Sequence, residues 1–273
     1  MRKETKSVSL FVSIFFRRER WGMFRLAIYG KGGIGKSTTA GNIALSLAQM
    51  GNKVMLIGCD PKADSTFLVM KGNSIPTVLN CMREKEKVEL SDIVHQSPSG
   101  VLCVEAGGPI PGVGCAGRGI TAAFDLLENL DAYGKYQPDY VIYDVLGDVV
   151  CGGFAMPLRG KYSDAAYVVT SGEMMSLYAA SNILRALESF KARDYARFAG
   201  LIVNLKNIED EKQKLERFCS EENVSVVASI PRSPEILRAE DKNMTVVEFL
   251  PDSLAAQRYR DLAGHIVKDA SNG

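Results

Sequence analysis

The chain has 273 residues, 46% of them hydrophobic and 24% charged, with a formal net charge of +1. Such a length and apolar content support a sizeable buried core, and the near-neutral balance argues against a dedicated nucleic-acid binder, whose domain is usually markedly basic. The six cysteines include no CxxC pair, which argues against a secreted disulfide framework and points to the cytosol.

The first 22 residues stand apart. A basic start leads into the apolar run Val8–Phe16, and Arg17, Arg18, Glu19 and Arg20 follow at once. The run is shorter than the roughly 20 residues needed to span a bilayer, and no small-residue cleavage site follows it. Residues 1–22 therefore read as an extension outside the core, with Met23 as the natural start; a membrane-surface anchor is the alternative. Residues 23–273 read as a single domain. Apolar strands at 24–30, 53–60, 100–107, 139–145, 165–172, 199–205 and 224–231 alternate with helices at 37–51, 174–192, 209–222 and 253–268. Short all-apolar strands separated by amphipathic helices predict an α/β fold with a doubly wound, mostly parallel sheet covered on both faces. The stretch Val104–Ile120 is too rich in glycine and proline to read as a stable helix or a long strand. No repeat, linker or further membrane-spanning segment is visible.

Between the first strand and the first helix lies GKGGIGKST, comprising Gly30, Lys31, Gly32, Gly33, Ile34, Gly35, Lys36, Ser37 and Thr38. It matches the P-loop pattern G-x-x-x-x-G-K-[ST] in the required strand–loop–helix setting. Glycines let backbone N–H groups curl around phosphates, the helix N-terminus adds positive potential, Lys36 adds a charge and Ser37 is placed to bind Mg²⁺. Lys31 is a second lysine that an ordinary P-loop does not need. It resembles the signature lysine of the deviant Walker A ATPases, which work as face-to-face dimers. Two acidic segments follow at strand ends: GCDPKADST, with Asp60, Lys62 and Asp64, and YDVLGD, with Asp144 and Asp148. Carboxylates at the carboxyl ends of parallel strands lie on the ligand-binding edge of such a sheet. Asp144 closes an apolar strand as a Walker B aspartate does, acting through Mg²⁺ and its water shell.

Cys115 (GVGCAG) and Cys151 (CGG) both follow strand ends on that same edge, each flanked by glycines. Small neighbours leave backbone amides free to approach sulfur. Two thiolates fall short of the four an iron–sulfur cluster usually takes, but a twofold axis supplies four. The alternative is that both are small buried apolar residues, and that reading is preferred for Cys59, Cys81, Cys103 and Cys219. His95 and His265 have no spaced partners and read as structural or surface residues.

The runs YGKGGIGKST, GCDPKADST, GGPIPGVGCAGRGI, YDVLGDVVCGGFAMP and SGEMMSLYAA resemble the nitrogenase iron protein (dinitrogenase reductase) family and its nitrogenase-like relatives, from about Phe24 to Lys268. The resemblance implies an ATP-hydrolysing one-electron reductase component: a homodimer with one bridging [4Fe–4S] cluster held by Cys115 and Cys151, and MgATP bound at Gly30–Thr38, with Lys31 acting across the dimer. It places Asp60 to Asp64 in a first switch and Asp144 to Asp148 in a second, with Asp148 positioning the attacking water. It makes Arg118 the residue that docks on a nitrogenase-like catalytic partner, the site that some organisms ADP-ribosylate, and Asn204 an adenine-side contact. A ferredoxin or flavodoxin would be the electron donor, with no nucleic-acid or membrane partner, in the cytoplasm. There are departures. Phe67 stands where nitrogenase members commonly have arginine, Ser233 where they usually have aspartate, and the chain stops at Gly273 without their C-terminal tail. Dinitrogen and another substrate, such as a tetrapyrrole, thus both stay open. A ParA- or MinD-like positioning ATPase and an iron–sulfur scaffold ATPase are the competing classes; neither accounts for two cysteines in glycine-rich loops without a CxxC pair.

Overall fold

The computed structural model describes residues 22–108, 116–147, 155–159, 162–190 and 195–272. Cys115, Asp148, Cys151 and nearly all of the N-terminal extension lie outside the described residues. The strands are β1 (Phe24–Tyr29), β2 (Val54–Gly58), β3 (His95–Gln96), β4 (Leu102–Glu105), β5 (Tyr140–Asp144), β6 (Ala165–Thr170), β7 (Arg197–Asn204) and β8 (Val226–Ile230). They form one sheet in the order β3-β4-β2-β5-β1-β6-β7-β8. Pairing is parallel throughout except for the short edge strand β3, which runs antiparallel to β4.

The strands are continuously apolar because both faces are covered. Along β1, Ala27 and Tyr29 join a core cluster with Ile57, Phe124, Tyr143 and Leu184, while Leu26 and Ile28 join another with Ile43, Leu47, Ile142 and Tyr259. Helices α1 (Lys36–Gln49) and α10 (Leu254–Asn272) cover the second face, and α4 (Ala116–Asn129) and α6 (Met174–Phe190) the first. The remaining helices are short or peripheral: α2 (Val78–Glu84), α3 (Leu90–Ile93), α5 (Ala132–Tyr136), α7 (Glu211–Glu222), α8 (Pro234–Glu240) and α9 (Val246–Phe249), with a 3₁₀ turn at Met156–Leu158. The doubly wound, mostly parallel sheet expected from the alternation is thus present.

The reading of Val104–Ile120 needs correction. Its first residues lie in β4, and Ala116–Ile120 opens the 14-residue helix α4. Two glycines in its first turn conceal that helix from propensity, but Ile120, Ala123, Phe124 and Leu127 are fully buried on the sheet. Tertiary packing of an apolar face outweighs the local cost of glycine. The last helix likewise runs four residues beyond the expected end at 268, to Asn272. Tyr167 and Arg197 hold Asp269 there, at 2.7 Å each.

Candidate functional site

The loop from Gly30 to Gly35 joins β1 to α1 on the carboxyl edge of the sheet. Lys31, Gly32 and Gly33 are exposed, Ile34 and Lys36 are buried, and Ser37 and Thr38 are half-buried. Gly35 caps α1 in the left-handed region at φ +98°, and a Cβ there would come within 2.7 Å of Asn204 Nδ2. That amide is the loop's clasp: Asn204 Nδ2 donates to the Ile34 carbonyl at 2.8 Å, while its Oδ1 is buried without a partner among the described residues. The Lys36 ammonium donates to the Lys31 carbonyl at 3.3 Å, folding back over the loop it crowns.

Beside this loop lie the two acidic strand ends. Asp144 is 2% exposed. Burial raises its carboxyl above the ordinary range, and Asp60 adds to that; the Ser37 and Ser65 hydroxyls and the Lys36 ammonium pull the other way. Those hydroxyls lie close to the carboxylate, yet neither oxygen makes a hydrogen bond of ordinary geometry among the described residues. Buried acceptors left open next to a P-loop serine fit a hydrated Mg²⁺, which takes oxygen ligands and keeps several waters. Gly147 presses on the loop: a Cβ there would collide with the Gly30 carbonyl and lie 3.0 Å from the Gly32 nitrogen. The chain after Asp144 thus rests directly on the phosphate loop. Asp60 is half-buried, and Lys62 and Asp64 are exposed. Asp60 Oδ1 accepts from the Lys62 N–H at 2.9 Å.

Several residues that sequence reasoning passed over complete the site. Thr38 donates to Glu240 Oε1 at 2.7 Å. Glu240 ends α8, which Ser233 caps by accepting from the Glu235 N–H at 3.1 Å. The Glu211 carboxylate accepts from the N–H groups of Gly172, Lys206 and Asn207 at 2.8–3.2 Å and so fixes the turn that follows Asn204. Glu105 closes β4 fully buried; an ionisable residue at the end of an otherwise apolar strand was the signal available for it.

Cys59, Cys81 and Cys103 are buried, as expected, whereas Cys219 is half-buried. Burial, with Asp144, Glu105 and Asp60 nearby, holds the Cys59 thiol far above its usual range, and burial with Glu105 pushes Cys103 up to about 12. Both stay protonated. Cys59, Cys81, Cys103 and Cys219 are free, and the described residues contain no group of three or more His, Cys, Asp or Glu able to hold a metal. Arg118 is exposed in the first turn of α4. His95 and His265 are half-buried, and His95 Nε2 lies 3.2 Å from the Asp92 carbonyl. No helix among the described residues is long and apolar enough to cross a membrane.

A parallel sheet, a glycine loop at its carboxyl edge, a lysine and serine opening the next helix and a buried aspartate on the neighbouring strand define a P-loop NTPase. Solved structures share this architecture. MinD complexed with Mg-ADP from Pyrococcus horikoshii OT3 superposes with a TM-score of 0.73 at 20% identity, over 92% of this chain and 98% of that one. The cell division ATPase MinD of Pyrococcus furiosus gives 0.71 at 20% identity, over 90% and 98%. At that identity the likeness concerns the fold alone. Within it, the model of the 4Fe-4S iron sulfur cluster binding proteins, NifH/frxC family, matches residues 24–272, and the chain belongs to that family. A nitrogenase iron protein of Methanospirillum hungatei JF-1 is 53% identical over 249 residues, covering 90% of this chain and 88% of that one. One from Methanococcus voltae is 47% identical over the same length, covering 90% and 89%. The family expected from the motifs is borne out, together with the ATP-dependent electron-transfer role and the [4Fe–4S] and MgATP cofactors that go with it.

Proposed function

We propose that two copies of this chain form an ATP-gated one-electron reductase component that serves a nitrogenase-type catalytic partner. Cys115 and Cys151 of each copy would hold the cluster, two thiolates per subunit meeting the usual four. When bound, the cluster supplies a one-electron redox centre. The observation that carries this reading is the contact of Gly147 with the Gly30–Gly32 backbone. Cys151 is only the seventh residue after Asp144, so any adjustment of the chain to the γ-phosphate is passed to a cluster thiolate.

The residues divide the work as follows. The Gly30–Gly35 amides and Lys36 bind and orient the phosphates, and Ser37 and the shell around Asp144 hold Mg²⁺. Lys31, exposed and unburdened by packing, reaches the partner subunit's nucleotide. Asp60, Lys62 and Asp64 form the first switch. Asp144 begins the second, and Asp148 orients the attacking water. Asn204 braces the base side, where Ser233 caps the start of α8 and Glu240, at its end, accepts from Thr38. Order and geometry of such switch segments are what a γ-phosphate controls. Arg118, exposed and three residues after Cys115 in the chain, docks on the catalytic partner. A ferredoxin or flavodoxin supplies the electron, in the cytoplasm.

The homodimer has its own support. Met174, Met175 and Tyr178 are 66%, 59% and 60% exposed on the first turns of α6, which follows β6 on the nucleotide edge. An apolar patch of this kind is usually covered by a partner surface.

The test is anaerobic purification of the full chain, followed by iron and acid-labile sulfide analysis, electron paramagnetic resonance after reduction, and MgATP-dependent electron delivery to nitrogenase and tetrapyrrole-reductase catalytic components. Four irons per dimer, a spin signal on reduction and delivery to the nitrogenase component are expected. A dimer without an iron-dependent signal would refute the reading, and delivery to the tetrapyrrole enzyme alone would move the partner to that class.

A further inference from the structure

Glu105 lies at the end of β4 and is 0% exposed. Register places Glu105, Gly58 and Asp144 side by side across the adjacent strands β4, β2 and β5. Gly58 carries no side chain, and Glu105 Oε2 occupies the space above it: a Cβ on Gly58 would collide with that oxygen and lie 2.7 Å from the Ser65 Cβ. The other oxygen, Oε1, accepts from both the N–H and the hydroxyl of Thr66, at 2.7 Å each. Oε2 has no hydrogen-bond partner among the described residues. A carboxyl group fully buried with two other acids, Asp144 and Asp64, close enough to raise its pKa is an expensive feature of a strand end. Apolar packing would be the cheaper solution if nothing but stability were at stake.

What it holds is the segment after β2. Ala63, between Lys62 and Asp64, sits in the left-handed region at φ +54°, a strained conformation for a residue with a Cβ that persists only when its surroundings impose it. The two hydrogen bonds that Thr66 donates to Glu105 Oε1 are the clamp at the downstream end of that turn. From Glu105 the chain runs on, ten residues later, to Cys115.

We propose that Glu105 is a positioning residue for nucleotide hydrolysis: its buried carboxyl clamps Thr66 and so ties the segment Asp60–Thr66 to the strand that leads into the loop bearing Cys115. This is a second connection between nucleotide and cluster, separate from the one through Asp144 and Gly147. It rests on the reading of Asp60–Asp64 as a switch, and the two are tested by different measurements.

The test uses the full-length, cluster-bearing dimer prepared anaerobically, as Glu105→Ala, Thr66→Val, the double variant and Glu105→Gln. Amide hydrogen exchange of residues 60–66 reads the clamp itself. MgATP hydrolysis reads the switch. Glu105→Ala should speed exchange in that segment roughly tenfold and lower kcat about tenfold while KM for MgATP and affinity for MgADP stay within about twofold. Thr66→Val, nearly isosteric, should do the same to a smaller degree of about threefold, and the double variant should be no worse than Glu105→Ala. Glu105→Gln keeps an acceptor at Oε1 and should rescue exchange and hydrolysis to within about twofold. Unaltered exchange in Thr66→Val, or effects that multiply in the double variant, would overturn the clamp. Faster exchange with unaltered hydrolysis would overturn the switch assignment and the proposal with it. Should Glu105→Ala fail to fold, Thr66→Val and Glu105→Gln still decide.

Discussion

Replacing Glu105 by glutamine should remove a pH dependence of stability that the wild-type chain carries. Burial is the main force raising its carboxyl, opposed by the two Thr66 hydrogen bonds and reinforced by Asp144 and Asp64, and it brings the pKa to about 7 from 4.5. A folded-state pKa above the unfolded one means that the folded chain binds more protons between those values. Its contribution is therefore fully present below about pH 4.5 and is lost as pH rises through about 7. A difference of about 2.5 units corresponds to roughly 3.4 kcal/mol, of which about 2 kcal/mol falls between pH 5.5 and 8.5. Glutamine carries no such proton. The difference in stability between Glu105→Gln and wild type should thus shift by about 2 kcal/mol in favour of the variant across that range, or roughly 4–8 °C in Tm. Asp144 has a raised pKa as well, but it titrates in both proteins and largely cancels in the difference. The assay is anaerobic thermal unfolding without nucleotide, at one protein concentration because the species is a dimer. Parallel Tm–pH curves for the two proteins would refute the reasoning and show that Glu105 is ionised at neutral pH at no cost.

Asp144→Asn should raise Tm without nucleotide at pH 8, because a buried carboxyl whose pKa is raised by desolvation destabilises the fold once ionised; MgATP hydrolysis should fall roughly a hundredfold. Calorimetry and a phosphate-release assay check the two halves, and a less stable variant would count against the burial argument. Gly35→Ala puts a Cβ at φ +98° and 2.7 Å from Asn204 Nδ2, so it should cost about 1–3 kcal/mol and weaken MgADP binding at least tenfold by equilibrium titration. Tyr167→Phe removes the 2.7 Å bond to Asp269 that ties β6 to the last helix; a loss of about 1 kcal/mol with an unchanged KM for MgATP is expected from denaturant unfolding and kinetics. Tyr178→Glu sets a charge in the exposed apolar patch of α6 and should shift the species from dimer to monomer in sedimentation velocity, with the monomer's fold retained by circular dichroism.

The sequence by itself determined the fold class, the phosphate loop and the family, because each is written in contiguous residues. Apolar strands at a regular spacing specify a covered parallel sheet, and GKGGIGKST carries its own chemistry wherever a strand and a helix flank it. The carboxyl edge was legible too, since parallel strands with Asp60 and Asp144 at their ends must deliver them to the same side. Only the tertiary structure decided how that edge is braced. Glu105 reaches Thr66 across 39 positions of sequence, Glu240 reaches Thr38 across 202, and Asn204 reaches Ile34 across 170. A carboxylate at a strand end has no periodicity that announces its partner. Helix α4 was hidden for a related reason: glycines in its first turn lower its local propensity, and the burial of Ile120, Phe124 and Leu127 that stabilises it exists only once the sheet is assembled.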